Sequence, residues 1–219
     1  MLTTINHICS LGMLCQSSQL CKSTKLKLES YPFDWIFSNP ENIINILEDD
    51  FSSFLNKELY VSVNSSQCRH TLYDHVKYGH MLYTFNHHNP KDNNDHYNYF
   101  TRCVERFRKL LSNESNKLFI LTFSNLHNDL KYIEDLKKKV IQINDCISTK
   151  TKNHYMFVIF HIPHQDKYKV IILDINNIKF VFVYTKSTSG GIFLADQTEE
   201  KMLQKLLLDS YSFQIKKLE

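Results

Sequence analysis

Two almost unbroken apolar runs, KLFILTF at 117–123 and YMFVIFHI at 155–162, constrain this chain more than any other feature. Strands apolar on both faces must be covered on both faces, which is the habit of parallel sheets. Between them NDLKYIEDLKKKVIQIN (128–144) has helical spacing, and strand, helix and strand in that order make the βαβ crossover that joins parallel neighbours. Upstream, TINHICSL (4–11) reads as a short buried strand ended by Gly12, with a helix from about Leu14 to Lys22. SNPENIINILEDDFSSFL puts Pro40 in the first turn of a second helix, with Ser38 or Asn39 as cap and Ile43, Ile44, Leu47 and Phe51 on one face. HYNYFTRCVERFRKLLSN is a third, with Asp95 as cap and Phe100, Val104, Phe107 and Leu111 in one stripe. YKVIILDI and KFVFVYT are close enough to pair as a hairpin, and TEEKMLQKLLLDSY closes the chain as a helix. Between 57 and 95 the periodicity is lost, which predicts irregular or short-strand structure with a mobile loop near 89–95. The expected fold class is α/β: one three-layer domain over residues 1–219, with a mostly parallel sheet, helices on both faces and an antiparallel C-terminal hairpin.

Composition narrows the function classes. An apolar fraction of 42% suffices for a core, and a formal charge of +3 without a basic stripe argues against nucleic-acid binding. The single alanine, Ala195, beside abundant Lys and Asn is the usage of an AT-biased coding sequence and carries no functional information. Six cysteines are dispersed without a CxxC pair, and the N-terminus has no signal-peptide pattern, so free thiols in the cytoplasm are expected. No apolar run reaches the length of a membrane span. No tight ligand spacing calls for a metal, and no cofactor is expected.

In an open α/β sheet, functional groups gather beyond the carboxyl ends of the strands. That rule selects Cys15 after the first strand, Ser124, Asn125 and His127 after the next, His161 and His164 at the end of YMFVIFHI, and Asp174 after the strand that follows. A cysteine at a helix N-terminus meets unpaired N–H groups and the positive end of the dipole, which favour thiolate and can form an oxyanion hole. Free cysteine is also among the most commonly buried residues, which is the simplest account of Cys9 and Cys103; Cys21, Cys68 and Cys146 carry no signal. A thiol nucleophile needs a base, usually histidine. His87 and His88, in a polar turn before Pro90, qualify, as does His161, although the pair could be solvated and His161 a core residue. Asp34 and Trp35 in YPFDWIF, with Arg102 and Arg106 on the third helix, could orient a histidine or hold substrate; Asp34 could equally be structural and the arginines a solvated face.

The segments SLGMLCQSSQL, SYPFDWIFSNPENIINILEDDFSSFL, FNHHNP and YFTRCVERFRKLL resemble, in order and spacing over residues 5–125, a family known as papain-like cysteine peptidases of bacteria and large DNA viruses. The resemblance implies Cys15 as nucleophile, a histidine such as His88 as general base with His161 as the other candidate, and a thioester intermediate on a peptide or acylated substrate. Asp34, Trp35, His87, Arg102, Arg106 and Asn125 are then the expected substrate contacts. It also implies an alternative fold, papain-like α+β, and for a viral protein the host cytoplasm. The Cys-Gln pair at a helix start is similar, in addition, to the α/β esterases and acyltransferases that act on glycans. A non-catalytic module binding a ligand around Asp34, His88 and Arg106 is the third reading.

Overall fold

The computed structural model describes residues 2–77 and 79–218. Its centre is a five-stranded sheet built from β2 (His7–Ser10), β7 (Lys117–Phe123), β8 (His154–Ile162), β9 (Lys169–Ile175) and β10 (Ile178–Tyr184), in the spatial order β2-β7-β8-β10-β9. β2, β7, β8 and β10 are mutually parallel, and β9 pairs antiparallel with β10 at the edge. The mostly parallel α/β sheet with an antiparallel hairpin is thus the architecture, and the α+β alternative is not.

Alternation along β7 explains the layers. Phe119, Leu121 and Phe123 enter one core with residues of α2 (Pro40–Glu48), α3 (Asn94–Ser112) and α4 (Leu130–Ser148). Leu118 and Ile120 enter the other with Leu20 of α1 (Gln16–Ser23) and Leu203 and Leu207 of α5 (Gln197–Ser210). Each such side chain taken fully out of water contributes roughly 1.5–3 kcal/mol. A strand buried on both faces is therefore what made the continuous apolar runs so informative.

The remaining strands are small. β1 (Thr4–Ile5) pairs with β11 (Ser212–Phe213), and the aperiodic region holds two hairpins, β3 (Tyr60–Asn64) with β4 (Gln67–His70), and β5 (His75–Lys77) with β6 (His80–Leu82). The first predicted strand is thereby divided into β1 and β2. Residues 89–93 form an anchored turn: buried Asn89 donates to Ser62 Oγ and Asn64 O, and the Asn89 N–H donates to His96 Nδ1. Asn93, not Asp95, caps α3, accepting from the N–H groups of Asp95 and His96, because the helix begins one residue before Asp95. Asn39 is the cap of α2, with Pro40 in its first turn.

Candidate active site

Cys15 is positioned by the turn that leaves β2. Gly12 adopts φ +83°, and a Cβ there would lie 3.0 Å from both Phe33 O and Ser38 Oγ, so only glycine fits. The turn is pinned by Ser10 Oγ accepting from Gly12 N–H at 3.1 Å and Ser38 Oγ accepting from Met13 N–H at 3.1 Å. Ser17 Oγ donates to Gly12 O and to Thr122 Oγ1, tying the first turn of α1 to β7. Cys15 is the N-cap residue of α1, and that helix start has no side-chain cap. Asn39, Asn93, Asp129 and Asp196 all supply one at α2 to α5. Among the described residues the leading N–H groups beside the thiol therefore lack the side-chain cap that the other helices have.

The histidine that meets the thiol is His87: its Nε2 lies 3.4 Å from Cys15 Sγ. Its ring packs edge-on against Phe37, with centroids 6.3 Å apart. His87 itself is exposed, while Cys15 is 2% exposed, so the pair sits at the inner wall of an open cavity. That cavity, of about 550 Å³, is walled by Ser30, Trp35, His88, Tyr99 and Ile192. Burial, with Asp34 contributing, pushes the Cys15 thiol up to about 11. The thiolate expected from the helix dipole is thus outweighed by desolvation, and Cys15 rests as a neutral thiol.

His88, expected as the base, lines the same cavity but is held by aromatic neighbours. It stacks on Tyr99 with centroids 5.1 Å apart and planes 7° from parallel, and meets Phe100 and His96 edge-on. Burial, then the neighbouring His96 and His87, lowers it to about 4. It anchors the loop on α3. His161 does not reach Cys15 either: it accepts from Asn125 N–H through Nδ1, and its Nε2 meets Thr185 Oγ1 at 2.7 Å and Ser187 O at 3.3 Å. Buried to 1% exposure and lowered to about 4 by that burial, it is a neutral structural ring.

Of the expected substrate contacts, Trp35 and His87 line the cavity. Asp34 does not, being fully buried and paired with Lys27 while also accepting from Tyr31 N–H at 2.8 Å. Burial outweighs the Lys27 ammonium and raises its carboxyl. Asn125, in the left-handed region at φ 56°, grips Ser189 through both its carbonyl and its amide. Ser189 and Ser124 hydroxyls donate in turn to Gln16 Oε1, at 2.8 and 2.5 Å, so this network fastens the 186–195 loop above the thiol. Arg106 donates through Nε to Ser30 O at 2.8 Å, one residue behind the cavity wall, whereas Arg102 is exposed and lines no described cavity. His127 and His164 line a separate cavity. Asp174 lies at the opposite end of the sheet, paired with Lys179, because β9 runs antiparallel.

Ser30, Tyr99 and Ile192 escaped the sequence reading. Tyr99 lies on α3 beside the predicted stripe and so could have been suspected; Ser30 and Ile192 sit in segments without periodicity. Among the described residues no carboxylate pairs with His87, and no group of His, Cys, Asp and Glu is arranged to hold a metal.

Residues 6–167 match the family model described as "Putative papain-like cysteine peptidase (DUF1796)". No curated protein and no solved structure matches the chain.

Proposed function

The chain belongs to that family, its matched segment covering well over half of the residues, and from this premise we propose that it is a cysteine-dependent acyl hydrolase of peptidase type. The observation that carries the reading is the 3.4 Å contact between Cys15 Sγ and His87 Nε2 at the wall of an open cavity. His87 takes the thiol proton as Sγ attacks the acyl carbon, so the high thiol pKa is overcome by transfer within the pair rather than by standing thiolate. The oxyanion that forms is met by the leading N–H groups of α1. Collapse breaks the acyl bond, His87 returns its proton to the departing amine, and a thioester remains on Cys15. Water, deprotonated by His87, then releases the acid and restores the thiol.

Parallel strand order favours a second reading. A nucleophile just beyond the carboxyl end of the first parallel strand suits acyl transfer, in which an alcohol or amine resolves the same thioester. Both readings predict that p-nitrophenyl acetate acetylates Cys15, seen by intact-mass spectrometry as a hydroxylamine-labile adduct absent from Cys15→Ser. Decay of the adduct that added alcohol or amine acceptors leave unchanged supports hydrolysis, and decay that they accelerate with formation of the acylated acceptor supports transfer. No adduct on Cys15, or an equal one in His87→Ala, refutes both.

A further inference from the structure

Beside the thiol cavity lies a second one, of about 560 Å³, and the two share Ser30 and Trp35 as a common wall. Its other lining residues are Lys22, Lys27, Leu28, Glu29, Arg106 and Lys217. Two of these charges are already engaged. The Lys27 ammonium is committed to buried Asp34, and Glu29 Oε2 accepts from Leu218 N–H at 3.0 Å. Among the described lining residues, Lys22, Arg106 and Lys217 then face a single carboxylate, that of Glu29.

Arg106 is the organised member. Its Nε–H on Ser30 O and its terminal nitrogen against Cys103 Sγ, 3.1 Å away, fix the plane of the guanidinium, and its other N–H donors meet no acceptor among the described residues. Lys22 and Lys217 are exposed at the rim. Trp35 and Leu28 add an apolar surface between the fork and the thiol cavity.

We propose that this basic cavity is a substrate subsite for a carboxylate, supplied by an acidic side chain of a peptide whose acyl group lies at Cys15. The inference rests on the thiol-hydrolase reading above. A planar fork with donors to spare matches a carboxylate, and a lysine pair at the rim adds long-range attraction. Glu29 disfavours a dianion such as a phosphate monoester. The aliphatic stem of glutamate spans the Trp35 and Leu28 surface.

The test uses chloroacetylated peptides that differ only in carrying Glu, Gln, Lys or phosphoserine. Cys15 Sγ displaces chloride, a C–S bond forms, and the thiol proton leaves through His87; labelling is read by intact mass and peptide mapping. The Glu probe labels Cys15 about tenfold faster than the Gln probe, as expected for one charge-assisted pair. The advantage shrinks in high salt and in Arg106→Gln. The Lys22→Gln/Lys217→Gln double variant alters only exposed rim residues, and it too lowers the ratio of Glu to Gln labelling. Equal labelling by all probes, or a phosphoserine probe faster than Glu, overturns the carboxylate subsite and leaves the thiol reading intact. Failure of every probe to prefer Cys15 over the other five cysteines overturns the thiol reading and the subsite with it.

Discussion

Replacing His87 by alanine separates the pair from every other account of Cys15. With the thiol raised to about 11, only about one molecule in 10⁴ carries thiolate at pH 7. Reaction at neutral pH then depends on proton transfer to Nε2, 3.4 Å away, and a positioned base contributes about 10²–10⁴-fold. Alkylation of Cys15 by chloroacetamide at pH 7, followed by peptide mapping, should therefore slow about 100-fold or more in His87→Ala. What remains should climb about tenfold per pH unit from 7 to 10, the slope of an unassisted thiol, and approach the wild-type rate near 11. In His88→Ala, by contrast, the loss is mainly in stability, because the Tyr99 stack is removed and the Cys15 contact is not. A His87→Ala rate within threefold of wild type at pH 7, or a larger defect in His88→Ala at equal folded fraction, refutes the assignment of the base.

Three further outcomes follow from the packing. Gly12→Ala forces a left-handed alanine and displaces Ser38 Oγ, costing about 2–4 kcal/mol together, measurable by urea unfolding; an unchanged midpoint contradicts the turn geometry. Lys27→Met strands the buried Asp34 carboxylate and should destabilise by about 3–5 kcal/mol near neutral pH, with part of the loss recovered in Lys27→Met/Asp34→Leu; wild-type stability in the single variant contradicts the pairing. His88 and His161 sit at about 4 when folded, against about 6.5 for free imidazole, so between those values the unfolded chain binds more protons. Their contribution is complete above pH ~6.5 and falls as the pH drops towards ~4, by on the order of 3 kcal/mol per ring at most. His161→Gln should flatten that slope in urea titrations at pH 7, 5.5 and 4.5, and a slope unchanged from wild type counts against the buried neutral ring.

Local pattern and tertiary packing contributed different things to this protein. The runs at 117–123 and 155–162, the stripe of Phe100, Val104 and Phe107, and the glycine after the first strand carried the parallel sheet, the α3 helix and the placement of Cys15. Those features are legible because periodicity and backbone sterics act over a few residues. Asp174 was misplaced because strand direction at the edge is not a local property. The choice between His87 and His88 could not be local either: both line the thiol cavity, and contacts with residues distant in the chain separate them. His88 docks on Tyr99, while His87 meets the thiol. The thiol's protonation was likewise decided by the fold, since the helix N-terminus favours thiolate while desolvation and Asp34 oppose it more strongly. The sequence by itself determined that a cysteine would stand at the head of a helix beyond a buried strand. Only the tertiary structure decided which imidazole reaches it and that the thiol rests protonated, because the first depends on a contact between segments more than seventy residues apart and the second on burial.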